Sequence, residues 1–487
     1  MQAVRYVDRK VVVVKHFGST HTPHALALLK RDAEHWVMKD QLALPLLQEP
    51  SLSPSIVDLD RITVTAARRM FAYRVLLRVL TTLGFCPLLD PVTLHLIVMR
   101  LLEPSSKLRA ISLLRRHFGI VHSRRTVYAA LKTLNRRKEA VERLLIAEAT
   151  ATEATLSFVL YDVTTLYFES FREDTEEEGL RKTGFSKDQK SQQPQIVVGL
   201  LVTPTGFPLG YELFRGNTFE GHTMLPVLEK FQMMHQLRTC TVVADAAMLS
   251  FDNIQELRAK HFSYIVGARV ANLSPALITQ VSATLQQQED AICRFKTKHG
   301  DLLCSFSTKR YRKDKHDMEK QIARAKELVA SSTPGRKAKF VQDKGATFTL
   351  NTTLIAKTEK LLGIKGYVTN VPEAQMSNQE VIDQYRNLWH VEQTFRMAKS
   401  DLAMRPIFHR TEDAVRSHLL LCVIALATQK HLEQRTGLSL RRIRDALMDV
   451  TDITLADMAT GREFIKQSPL SEDAELILKK TGGGLSY

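Results

Sequence analysis

The chain has 487 residues, 44% of them hydrophobic and 25% charged, enough apolar material for more than one folded domain and too much for wholesale disorder. Lys and Arg number 68 against 52 Asp and Glu, a formal charge of +16 with a pI near 9.6. That excess suits a polyanion, since each cation that neutralises a phosphate releases condensed counterions, although a merely basic soluble protein shares it. No run approaches the roughly 18 apolar residues of a membrane helix, and the valines at 11–14 fall far short of a signal-peptide core. The five cysteines are scattered, without a CxxC pair, and read as reduced thiols. The working class is a cytoplasmic protein that faces nucleic acid.

Residues 1–55 mix strand-like and helical pieces and end in a loop at 51–55 (SLSPS). From 56 to 152 the pattern is helical: ARRMFAYRVLLRVLTTLGF, PVTLHLIVMRLLEP and RTVYAALKTLNRRKEAVERLLIAEA repeat apolar residues every three or four positions, with Arg and Lys between. Short basic helices suit a DNA-binding region, though helical bundles of every function share the pattern. At 153–271 the period changes. LSFVLYDVTTLYF reads as a strand, QIVVGLLVTPTGFPLGYELF as a hairpin, then a helix at 221–235, a strand at 240–244, a helix at 252–260 and the strand FSYIVGA. Strand, hairpin, helix, strand, helix, strand is the order of an RNase H-like α/β core.

Residues 272–360 interrupt it with a Gln-rich helix, a hairpin turning at 299–301 that places Cys293 opposite Cys304, and a very basic stretch at 309–339. The α/β signal returns over 361–435 with GYVTNV, one long amphipathic helix at 377–401 and an apolar helix around 419–427. Residues 436–487 read as a C-terminal helical tail.

Three carboxylates stand out. Asp162 interrupts a strongly apolar strand, where a carboxylate is costly unless paired or bound to metal; the plainer alternative is an Asp that points outward. Asp245 ends the run TVVADAAML, at the carboxyl end of a strand where α/β sites collect. It would otherwise be a helix cap, but Ser250 is better placed for that. Glu392 lies on QYRNLWHVEQTFRMAKSDL, where helical spacing puts Tyr385, Leu388, Glu392 and Lys399 on one face; a solvated Glu392–Arg396 pair is the alternative. Two Asp and one Glu can hold two magnesium ions, with manganese possible in their place, roughly 3.5–4 Å apart. A zinc site finds no His or Cys spacing. Trp389 is spaced for core packing or for stacking on an unpaired base.

LYDVTTLYFES, GFSKDQKSQQPQIVVGLLVTPTGFPLGYELFRGNTFEGHTMLPVLEKF, VVADAAMLS, GYVTNVP and YRNLWHVEQTFRMAKSDLAMRPIFHRTEDAVRSHLLLCVIAL resemble bacterial insertion-sequence transposases of the IS-four superfamily, sixteen-thirty-four-like group. These stretches cover most of 155–265 and 365–430. The resemblance implies an RNase H-like catalytic core with a largely β insertion, metal ligation by Asp162, Asp245 and Glu392, and a Tyr–Arg–Glu–Lys signature. Tyr385, Glu392 and Lys399 match that signature. Leu388 stands where Arg is usual, with Arg386 or Arg396 as candidate substitutes. The implied activity is cut-and-paste transposition at terminal inverted repeats of double-stranded DNA, by a homodimer on the DNA in the bacterial nucleoid. An RNase H-like DNA nuclease and an inactive DNA-binding relic are the alternatives.

Overall fold

The β-branched, apolar segment FVLYDVTTLY forms β1 (Phe158–Tyr167), the third strand of an eight-stranded sheet in a computed structural model. The structure describes residues 1–7, 9–41, 61–153, 156–187, 189–190, 192–235, 240–248, 250–331, 338–343, 348–458 and 460–483. The loop expected at 51–55 lies outside them. The chain divides into two compact units: Met1–Val79, Ser105–Arg124 and Leu432–Tyr487 make one, and Leu80–Pro104 and Arg125–His431 the other.

In the second unit β1 pairs antiparallel with β2 (Gln195–Val202), which pairs with β3 (Pro208–Arg215). On its other side β1 runs parallel to β4 (Thr241–Ala244), and β4 parallel to β5 (Ser263–Ala268). The helices Met224–His235 and Phe251–Ala259 make the crossovers that parallel pairing requires. Ser250 caps the second of these, accepting from the Asn253 N–H. Strand order 3-2-1-4-5 with these senses fits an RNase H-like core.

The sheet continues through β6 (Ile292–Thr297), β7 (Gly300–Phe306) and β8 (Ile364–Thr369), in the full order β3-β2-β1-β4-β5-β8-β7-β6. Cys293 and Cys304 are cross-strand partners on β6 and β7, as free thiols. The largely β insertion is therefore corrected. Its hairpin belongs to the main sheet, and helices Pro275–Leu285, Thr308–Ser331 and Thr352–Glu359 outweigh the short pair Val341–Asp343 and Phe348–Leu350. The basic stretch forms a helix because its long unbranched Lys, Arg, Glu and Gln side chains favour one. Tyr311, Met318, Ile322 and Ala325 then make an apolar stripe that packs on Phe340 and Leu362. The apolar stretch at 419–427 is buried within the helix Glu412–Thr436, and among the described residues no helix is long and apolar enough to cross a membrane.

In the first unit Gln2–Val7 and Lys10–His16 form a hairpin ahead of the helix Pro23–Gln41. Two expectations change here. Residues 62–68, read as helical, are the strand Ile62–Arg68, and the tail read as helical contributes Asp452–Asp457 and Glu463–Gln467 to the same three-stranded sheet. ITVTAAR opens with four consecutive β-branched residues, Ile62 to Thr65, and its partners sit nearly 400 residues away, beyond any local periodicity. Buried Asp452 ties this sheet down by accepting from the Phe71 N–H at 3.0 Å and from Gln467 at 3.0 Å.

Candidate active site

The parallel register Tyr161↔Ala244 ends the β1–β4 pairing, so the next residue on each strand, Asp162 and Asp245, falls side by side at the carboxyl end of β4. In-register neighbours on parallel strands share a face. The helix Leu388–Arg396 packs on β1 and β2 and carries Glu392 to the same place. The charges of Glu392 and Asp245 both act on Asp162.

Asp162 is half-buried, and its carboxyl is pushed up to about 6. Burial is the main cause, with the Glu392 and Asp245 charges adding to it, while Lys187 and the Val163 N–H oppose it. Lys187 is fixed beside β1 by donating to the Val163 carbonyl at 2.7 Å and pairing with Glu220 at 2.9 Å. Asp245 accepts from the Ala246 N–H at 2.7 Å and from the Tyr385 hydroxyl at 3.0 Å. Tyr385 is buried, and its hydroxyl is raised above the usual phenol range by burial first, then by Asp245. It therefore stays a donor. Room for that hydroxyl comes from Gly267 on β5, where an added Cβ would lie 2.4 Å from it and 3.0 Å from the Ala246 nitrogen.

The expected single helix at 377–401 is three segments. Ser377 and Glu380 form a capping box for Asn378–Arg386, Asn387 closes that helix, and Leu388–Arg396 follows. Met397–Asp401 is a π-helical turn, with the Leu402 N–H reaching the Met397 carbonyl at 3.0 Å. The shared face predicted for Tyr385, Leu388, Glu392 and Lys399 is thus corrected, because the break and the widened turn change the angular spacing. Tyr385 meets Asp245, Leu388 is buried, Glu392 is exposed, and Lys399 sits half-buried inside the π turn. Arg386 and Arg396 are exposed, Arg386 pairing with Asp383 at 3.0 Å. Trp389 is 52% exposed, which removes the core-packing reading, and its ring lies 3.8 Å from that of His390. Thr394 pins the Glu392 helix to the β2–β3 turn by donating to the Gly206 carbonyl at 3.0 Å.

An all-oxygen set of mutually repelling carboxylates fits a hard divalent cation in its chemistry. The three side chains stand apart in this structure: among the described residues, no three His, Cys, Asp or Glu side chains are grouped closely enough to hold an ion. Two cations near the site were not singled out from the sequence. Lys187 lies in a polar loop with no periodic signal. Lys365 lies in β8, with its ammonium 4.5 Å from the Tyr385 ring centre.

Comparison with curated proteins gave no match. Among solved structures, a piggyBac transposase synaptic complex with hairpin DNA, determined by cryo-EM, is similar at a TM-score of 0.36 and 9% identity. That similarity covers 85% of this chain and 70% of that one. Residues 153–427, more than half the chain, match the family described as the transposase DDE domain. This stretch holds Asp162 on β1, Asp245 just past the end of β4 and Glu392 on its helix, and the chain belongs to the DDE transposases.

Proposed function

We propose that this transposase carries out cut-and-paste transposition of a bacterial insertion sequence of the IS-four, sixteen-thirty-four-like group, with Asp162, Asp245 and Glu392 as its catalytic carboxylates. The observation that carries this reading is the adjacency of Asp162 and Asp245 on parallel strands beneath the Glu392 helix. In the first step a water oxygen attacks phosphorus in line and the bond from phosphorus to the 3′ oxygen breaks. That oxygen takes a proton, and the phosphate stays as a 5′ end on the flanking DNA. The freed 3′-hydroxyl then attacks a second phosphodiester, of the other strand or of target DNA, and displaces its 3′ oxygen.

Two magnesium or manganese ions, held by the three carboxylates, would supply Lewis acidity and a more acidic water. Tyr385 orients Asp245 through its hydrogen bond and keeps one carboxylate oxygen turned toward it. Lys187 moderates the negative charge at Asp162. Lys399, Arg386 and Arg396 flank Glu392 as point charges for phosphates. The N-terminal helices and the basic helix Thr308–Ser331 would bind the terminal inverted repeats, and two copies would hold the two element ends in the bacterial nucleoid.

The test is cleavage of DNA carrying the gene's own flanking ends, with magnesium or with chelator, by wild type, Asp162→Ala and Glu392→Ala. Magnesium-dependent cuts at the element boundary, absent in both variants, are expected. Cutting without regard to the ends would make the protein a nuclease. Tight binding without cutting under any metal would make it a DNA-binding relic.

A further inference from the structure

Beside the carboxylates lies a cavity of about 280 Å³ on which three cations converge from three separate elements. Arg310 comes from the first turn of the helix Thr308–Ser331, Arg386 from the last turn of Asn378–Arg386, and Lys365 from β8. Phe306 and Tyr367 supply ring walls. Lys365 is held above the rings of Tyr385 and Tyr367, at 4.5 and 5.7 Å, and among the described residues it makes no ion pair. Among the described residues, Arg310 and Arg386 pair along their own helices, with Asp314 at 3.3 Å and Asp383 at 3.0 Å. Exposed pairs of that kind are weak and yield to a better anion.

Two carboxylates also line the cavity, on the turn before β6. Glu289 is engaged in accepting from the Thr308 N–H, and Asp290 is exposed. The Lys365 ammonium is pushed down by burial first and by the charges of Arg310 and Arg386, against the opposing pull of Asp245 and Glu392. One tyrosine separates this space from the catalytic carboxylates, since Tyr385 touches Lys365 on one side and Asp245 on the other.

We infer that this cavity binds a terminal phosphomonoester: the 5′-phosphate end of a DNA strand, such as hydrolysis leaves on the flanking DNA. A monoester carries up to two negative charges against one for a diester, so convergent cations select it over the continuous backbone. The volume admits a single strand end and not a duplex. Holding the severed flank there would keep its phosphate beside the site and away from the new 3′-hydroxyl. This inference rests on the transposase reading for its source of 5′ ends, and its chemistry is testable without cleavage.

The experiment uses the full chain in chelator and reads fluorescence anisotropy of a short single strand bearing either a 5′-phosphate or a 5′-hydroxyl. The phosphorylated strand is expected to bind about tenfold more tightly, one charge-assisted contact's worth. Arg310→Gln, at an exposed position that spares folding, and Lys365→Gln should each bring the ratio of the two strands' affinities down to about one, a readout that a general loss of DNA affinity, common to both strands, does not move. A deoxynucleoside 5′-monophosphate should compete better than inorganic phosphate. Equal affinities for the two strands, or a preference that survives both substitutions, would overturn the inference. Inorganic phosphate competing as well as the phosphorylated strand would make this a free-phosphate site and overturn the assignment to DNA ends. Boundary cleavage with no end preference defeats this inference alone, whereas end preference without cleavage defeats the transposase reading and leaves the phosphate pocket standing.

Discussion

Asp162→Asn should make the metal-free protein more stable at neutral pH. Burial and two neighbouring carboxylates lift the Asp162 carboxyl from an ordinary 3.8 to about 6. At about 1.4 kcal/mol for each pH unit, the folded state carries a penalty of about 3 kcal/mol once both folded and unfolded forms are ionised. The sign follows from the raised folded value. Well below pH 4 the group is protonated in both states and there is no penalty. The penalty grows between about 4 and 6, and it is complete above 6. Asn keeps the shape and removes the charge, so the gain over wild type should shrink to about 0.5 kcal/mol at pH 4 and reach at most about 3 kcal/mol at pH 8. That gain corresponds to an increase on the order of 5 °C in the unfolding temperature. Thermal unfolding in chelator across this pH range, followed by tryptophan fluorescence and circular dichroism, measures it. Magnesium at a hundredfold over its Kd should then stabilise wild type by about 2.7 kcal/mol and the variant much less. A variant less stable than wild type at pH 8, or a gap that fails to shrink by pH 4, would refute burial of charge as the dominant influence on Asp162.

Gly267→Ala should act at a distance on Asp245, because the new Cβ meets the Tyr385 hydroxyl at 2.4 Å. Loss of a hydrogen bond to a charged group is worth about 1.5–3 kcal/mol, so cleavage should fall roughly ten- to a hundredfold, matching Tyr385→Phe, with DNA affinity unchanged. Gly206→Ala places a Cβ 2.9 Å from the Thr394 hydroxyl at a φ of +85°. Its backbone strain of about 1–3 kcal/mol should loosen the Glu392 helix, seen as faster amide exchange over 388–396. Phe340→Ala empties the small core of the insertion, at a cost of about 3–5 kcal/mol. Proteolysis should then open 308–360 first while the main sheet stays protected; simultaneous loss of both would show that the insertion has no core of its own.

The residues proposed for chemistry were visible in the sequence because they offend their surroundings. Asp162 stands in an apolar β-branched strand and Asp245 at the end of another, and each is an anomaly that local pattern exposes. The strands, hairpin and crossover helices of the core were legible for the same reason, since their periodicity is local and strong. The residues that hold the geometry make ordinary contacts and leave no such mark. Gly267 is one small residue in FSYIVGA until Tyr385 folds over it, and Lys365 reads as a surface cation until β8 is inserted between β5 and β7. The break at Asn387 and the π turn at 397–401 contain neither Pro nor Gly, so a continuous helix was the natural reading. Val391, Phe395, Met397 and Leu402 are all buried across the break and the turn, and the segment 388–396 packs on β1 and β2, a tertiary demand that no local pattern states. Leu388 shows what this means for the site. It is buried at 7% exposure, while the cations around the cavity beside Tyr385 come from β8 and two separate helices, as Lys365, Arg310 and Arg386.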